Sequence, residues 1–133
     1  MALLDSKKLV ISFLDLQKGV LNAKITGITG KLTLPQQDGF QVLNIKDILY
    51  CLADDNYVEI FLENKKILES QTLKYFEDAL TDFPFASTHK SYLVNVNEVV
   101  KYRKEKGGSV VVYNGKEPLV SETKKKAFLS FYE

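Results

Sequence analysis

The chain has no tryptophan, one cysteine, one histidine, one methionine and three prolines in 133 residues. Each scarcity removes a class of function. A lone Cys51 cannot form an internal disulfide, and its apolar neighbours Tyr50 and Leu52 suit a small buried residue in a reducing, cytoplasmic setting. One His and one Cys give no ligand pair at zinc spacing, so neither a metal nor a cofactor is expected. Charge of one sign is missing too: 18 basic residues against 17 acidic ones leave +1, so any surface for a polyanion must be local. No apolar run approaches the roughly 18 residues that span a bilayer. The start shows no cationic stretch, apolar core and small-residue cleavage site in sequence, so no secretory signal is expected.

What is present divides unevenly. In the first segment, Leu3, Val10, Phe13, Leu14, Leu16, Val20 and Leu21 recur at spacings of three and four, the pattern of an amphipathic helix capped by Asp5 or Ser6. Residues 1–28 therefore read as an N-terminal helix and linker, and residues 29–133 as one domain. A short strand is expected around Lys31 to Leu34, with Pro35 as punctuation. "ILYCLADDNYVEIFL" reads as two strands around the knuckle Ala53-Asp54-Asp55-Asn56, and "KILESQ" as a third after a turn at Glu63 to Lys66. "TLKYFEDALTDF" is helical, with Thr72 or Ser70 as cap and Pro84 as stop. "SYLVNVNEVVKYRK" alternates. "GGSVVVYNGKEPLVS" reads as a hairpin whose Asn114-Gly115 turn demands positive φ. "ETKKKAFLSFYE" is a short helix with Ser121 as a good cap. The sum is mainly β, about seven antiparallel strands with two short helices.

Chemistry is sparse. Cys51 lies mid-strand, away from a helix N-terminus or a base, so a Cys51–His89 enzyme is the weakest reading. Adjacent carboxylates Asp54 and Asp55 suit a solvated turn better than paired acid and base, because neighbours on a strand face opposite ways. Gly27, Gly30 and Gly107-Gly108 lack the helix and lysine of a phosphate cradle. Basic residues gather late, at Lys101, Arg103, Lys104 and Lys106 and again at Lys124 to Lys126. The second run opens a helix, whose free N–H groups also favour a phosphate. The only histidine sits in "STHKSYLVNVNEVV", where His89 would bond a backbone group and staple a loop, and Asn95 would fix a turn.

From about Lys31 onward the chain resembles the LytTR family, the DNA-binding output domain of many bacterial response regulators. Four segments carry the resemblance in the family's order: "DILYCLADDNYVEIFL", "SQTLKYFEDAL", the signature-like "FPFASTHKSYLVNVNEV", and "NGKEPLVSETKKKAF". The resemblance implies elongated antiparallel β-sheets with short helices, no enzymatic activity, and loops that enter the major grooves of double-stranded DNA. It implies paired direct repeats as target, dimerisation on DNA, and a receiver domain or sensor kinase upstream. The thirty or so residues before the match are too few for a receiver, which suggests an output half or a stand-alone regulator. By resemblance, Asn56 and Lys90 read bases, and Ser121, Thr123, Lys124 and Lys125 meet phosphate or base. His89 and Asn95 mainly hold the loop, and His89 can also touch phosphate. The chain departs from the family pattern at Lys90, usually Arg, and at Glu122, often basic. The competing reading is a protein-interaction module on the same fold, which Glu122, Lys90 and the near-neutral charge favour.

Overall fold

A computed structural model of the chain describes residues 30–133. The expected helix of Leu3 to Leu21, and with it the 1–28 segment, lies outside the described residues. The chain divides into two compact units, Met1–Asp47 and Ile48–Glu133.

In the first unit, β1 (Lys31–Gln36) and β2 (Gly39–Asn44) form an antiparallel ribbon in which Gln36 faces Gly39 across a two-residue turn. Alternation puts Leu32 and Leu34 on one face, both fully buried. Pro35 does not end β1 as expected; it lies inside it, opposite Phe40. Both strands of a two-stranded ribbon are edges, where a residue without N–H is tolerated.

The second unit is built on a five-stranded sheet of order β5-β4-β3-β7-β6. Its strands are β3 (Tyr50–Asp54), β4 (Tyr57–Phe61), β5 (Lys66–Glu69), β6 (Phe85–His89) and β7 (Tyr92–Asn95), and every pairing is antiparallel. Helix α1 (Leu73–Ala79) carries the chain from the β5 edge to the β6 edge. The Thr72 hydroxyl accepts from the Tyr75 N–H at 3.1 Å, as its position before the apolar run predicted. The helix stops at Ala79, with Leu80 as C-cap, five residues before Pro84 would have forced a stop. β8 (Val99–Arg103) and β9 (Ser109–Val112) form a separate two-stranded sheet, and α2 (Glu122–Leu129) closes the chain.

The register sorts side chains onto two faces. Cys51, Ile60 and Leu93 share one face, and α1 lies against β3 and β7. Tyr50, Phe61 and Val94 share the other. On that side Tyr50, Ala86, Val94 and Val96 pack with Val110 and Val112 of β9, Val120, and Phe128 of α2. Tyr50 stacks on Phe61 with centroids 4.4 Å apart. Burying a side chain such as Phe128 contributes about 2–3 kcal/mol by transfer alone.

Nine strands form among the described residues rather than about seven. Two differences have clear causes. The alternating stretch after Ser91 is not one strand: Asn95 opens a 3-10 turn, Val96–Glu98, that separates β7 from β8. The hairpin after β9 has no regular return strand. The Val110 N–H donates to the Pro118 carbonyl at 3.0 Å, but Pro118 has no N–H to answer with, and a single bridge, Ser109 to Leu119, remains. At its tip, only Gly115 takes positive φ, at 89°, and Asn114 does not. The Val112 N–H donates to the Lys116 carbonyl, so the loop is the three residues Tyr113–Gly115 rather than a two-residue turn.

Candidate nucleic-acid interface

Three turns meet at one end of the five-stranded sheet. The first joins β3 to β4, where Asp54 faces Tyr57 across Asp55 and Asn56. Asp55 has φ of 57°, the geometry of a hairpin turn with a left-handed first residue, which Asp tolerates better than most side chains. Asp54, Asp55 and Asn56 are all exposed. An open cleft of about 370 Å³ separates this turn from Ser70, Gln71 and Thr72, which follow β5.

The second turn joins β6 to β7 through Lys90 and Ser91. Tyr92 faces Leu52, and the Ala53 N–H donates to the Ser91 carbonyl at 2.8 Å, so this turn stands beside the first. Strands lie about 4.8 Å apart, which centres the two turns about 10 Å from each other across β3 and β7. The expectation for His89 is met in its geometry: Nδ1 accepts from the Ser91 N–H at 3.1 Å. The ring meets Tyr92 edge-on at 5.7 Å. Lys90 is exposed and forms no ion pair among the described residues.

The third element is the segment that opens α2. The Ser121 N–H donates to the Thr88 carbonyl at 2.7 Å, one residue from His89. Ser121 has the backbone geometry of an N-cap, but its hydroxyl caps no N–H; it lies 3.2 Å from the Thr123 hydroxyl instead. Lys124 is less free than its sequence position suggests. Its Nζ donates to the Ser87 Oγ at 3.1 Å and ties α2 to β6. Lys125 is half-buried, and Lys126, Thr123 and Glu122 are exposed. Glu122 occupies the first turn of α2, where a carboxylate suits the helix dipole and competes with an incoming anion.

The structure thus brings together Asn56, His89, Lys90, Ser121, Thr123, Lys124 and Lys125. It does not bring Asn95 with them. Asn95 ends β7 at the opposite end from Lys90, is buried, and donates from Nδ2 to the Ile48 carbonyl at 2.9 Å. The polar stretch around His89 is therefore two sites: one shapes the exposed turn, and the other anchors the strand behind it. Sequence reasoning missed Thr88 and Ser87. Both look like ordinary strand residues, and nothing local marks one as a pin for a segment some thirty positions on.

Cys51 offers no nucleophile. It is 1% exposed, and burial pushes its thiol up to about 12, so it stays protonated at neutral pH. It lies within β3, paired with Ile60 and Leu93 rather than in a turn. Among the described residues no group of three His, Cys, Asp or Glu side chains could hold a metal. No helix among them is long and apolar enough to cross a membrane.

Comparison with known proteins gives a consistent result. The profile of the LytTr DNA-binding domain family matches residues 38–133. A sensory transduction protein LytT from Bacillus anthracis is 26% identical over 95 residues, which cover 71% of this chain and 39% of that protein. Its namesake from Bacillus cereus is 25% identical over the same length. The chain thus spans about two-fifths of the length of these relatives. A solved structure described as the LytTr DNA-binding domain of a methyl-accepting/DNA response regulator from Bacillus cereus superposes with a TM-score of 0.67. That match is 23% identical and covers 78% of this chain and 97% of the other, which establishes the fold. On the family match over residues 38–133, the chain belongs to the LytTr DNA-binding domain family.

Proposed function

We propose that this chain is a sequence-specific DNA-binding transcriptional regulator whose three turns at one sheet end contact the duplex. The observation that carries the reading is the convergence of Asn56, Lys90 and the Ser121–Lys125 segment on that end. Asn56 offers an exposed amide at a turn tip, and an amide pairs bidentately with adenine. Lys90 offers a point charge that suits phosphate or a guanine edge without the planar fork of arginine. Thr123 and Lys125 serve as phosphate contacts, with Lys124 shared between Ser87 and the duplex. His89 and Ser121 hold their turns in place.

In this reading residues 29–133 are the DNA-binding domain, and residues 1–28 are a linker or dimerisation helix. The target is a paired direct repeat bound by two copies. A receiver domain or sensor kinase acts upstream, and the protein works in the cytoplasm, where the DNA is. The rival reading, a protein-interaction module, is favoured by a specific feature: Asp54, Asp55 and Glu122 are exposed at the same end and repel phosphate.

Selection from randomised duplex DNA tests the two, with the winning duplex titrated at two salt concentrations against wild type and Lys90→Ala. Enrichment of a repeated motif, lost with Lys90→Ala, supports sequence-specific reading. Each phosphate neutralised contributes about −0.9 to the log–log salt slope. Uniform weak binding, unchanged by the substitution, sinks the DNA reading in favour of the interaction module.

A further inference from the structure

Between β6 and β7 the ladder slips by one residue. Ser87 faces Leu93 and His89 faces Tyr92, so β6 spends two steps where β7 spends one. Thr88 is the extra residue, a β-bulge next to the Lys90 turn. A bulged residue is released from the ladder, and both polar groups of Thr88 turn to one distant segment. Its carbonyl accepts from the Ser121 N–H at 2.7 Å. Its hydroxyl donates to the Leu119 carbonyl at 2.8 Å. The side chain is fully buried. The flanking residues complete the arrangement: Ser87 accepts from Lys124, and His89 accepts from Ser91.

We infer that Thr88 is a positioning residue for DNA recognition: its bulge and its hydroxyl set the spacing between the Lys90 turn and the Ser121–Lys125 segment. This rests on the DNA-binding reading above. The two surfaces belong to separate stretches of chain, and a duplex is a rigid template. Both engage the duplex together only if their separation is fixed before binding. A valine fills nearly the volume of threonine but cannot donate. It would leave the carbonyl of exposed Leu119 without the donor that holds it inward, and the segment would turn toward water to satisfy it. The fold has an independent hold on the same segment. The Val120 N–H donates to the Gly108 carbonyl at 3.0 Å, and Val110 donates to Pro118. Loss of the Thr88 hydroxyl therefore loosens the segment without detaching it from β9.

The experiment compares wild type, Thr88→Val and Thr88→Ser as the full chain. Each is titrated with randomised duplex DNA across a salt series, with thermal unfolding measured alongside. Thr88→Ala takes the place of Thr88→Val if valine does not fold. The positioning role predicts binding weakened about three- to tenfold for the folded Thr88→Val protein, the scale of one missing hydrogen bond with an orphaned acceptor. It also predicts a salt slope shallower by about 0.9 for each phosphate that the variant no longer neutralises, and recovery of both with Thr88→Ser. A residue that only stabilises the fold would change the unfolding temperature and leave the slope alone, and that result overturns the positioning role. Wild-type affinity and slope in Thr88→Val overturn it while leaving the DNA reading intact. No binding by wild type itself overturns the DNA reading and this inference with it.

Discussion

The Asn95 side chain donates to the Ile48 carbonyl at 2.9 Å, a bond that joins the last residue of β7 to the first residue of the second unit across 47 positions. The same side chain accepts from the Asn97 N–H at 3.1 Å and opens the 3-10 turn toward β8. One buried amide therefore ties the residues leading into β3 to the point where β7 stops. Replacing it with Ala strands the carbonyl of fully buried Ile48, while the N–H of exposed Asn97 turns to water. Asn95→Ala should lose about 2–3 kcal/mol of unfolding free energy in a denaturant titration. Folded Asn95→Ala should bind DNA as wild type does, because the amide lies away from the turns. Weakened binding at unchanged stability would place Asn95 in the interface after all.

Alkaline pH should unfold this domain through its buried phenols. Burial, then the nearby Tyr92 and Glu59, push the Tyr50 hydroxyl up to about 12 from an ordinary 10.0. Tyr92 and Tyr132 are raised in the same direction, chiefly by burial. The bond to Glu59 at 2.7 Å raises Lys66 as well. A native group with a raised pKa keeps its proton where the unfolded chain would release it. Its contribution is full below the unfolded pKa and is lost as pH climbs through the folded one. Stability should thus hold at neutral pH and fall between pH 10 and 12, with Tyr50 contributing about 2 kcal/mol once solvent screening at its hydroxyl is allowed for. Tyr50→Phe keeps the stack on Phe61 and removes the titrating hydroxyl. Its alkaline unfolding midpoint should move upward. An unmoved midpoint would mean that another group governs the transition.

The parts of this fold that could be read from the chain are those set by neighbours in sequence. Thr72 caps α1 because its hydroxyl is three residues from the N–H it accepts. The β3–β4 turn is legible in part: the expected knuckle Ala53 to Asn56 interrupts two apolar runs, but Ala53 and Asp54 stay paired in β3 and only Asp55 and Asn56 form the turn, with positive φ at Asp55. The family resemblance, rather than their neighbours, places Asn56 and Lys90 in loops, and both do lie in turns between paired strands. Features made by distant pairing were not legible. β3 chooses β7 as its second neighbour, far along the chain, and no local pattern states that choice. The Thr88 bulge, and the Ser121 hydroxyl that meets Thr123 rather than an N–H, depend on where a remote segment lies. Pro118 was visible, yet its effect depends on which strand it faces.

The knuckle makes a local prediction. Asp55 is the only residue other than glycine with positive φ among the described residues. A β-branched side chain crowds that backbone region far more than Asp does. Asp55→Val should destabilise by about 1–2 kcal/mol, while Asp55→Gly should lie within about 1 kcal/mol of wild type, since relief of strain offsets added chain entropy. Thermal unfolding of the pair checks this. Equal stabilities would show that the turn relaxes freely.

In the DNA-binding reading proposed above, Glu122 sets helix stability against DNA affinity at the opening of α2. Its carboxylate stands in the first turn, where the helix dipole favours it, and it is exposed. Neutralising it should therefore cost about 0.3–1 kcal/mol of stability. The same carboxylate lies one residue from Ser121 and Thr123, where a phosphate would approach. A repulsion of about 1 kcal/mol is the scale of two unit charges 4 Å apart in water. Glu122→Gln should thus be slightly less stable in a thermal melt yet bind duplex DNA about fivefold more tightly, with most of the gain at low salt. Two measurements moving in opposite directions from one substitution would be difficult to produce by misfolding. A loss of affinity confined to one sequence would mean instead that Glu122 accepts a hydrogen bond from a cytosine edge, and so contributes to specificity.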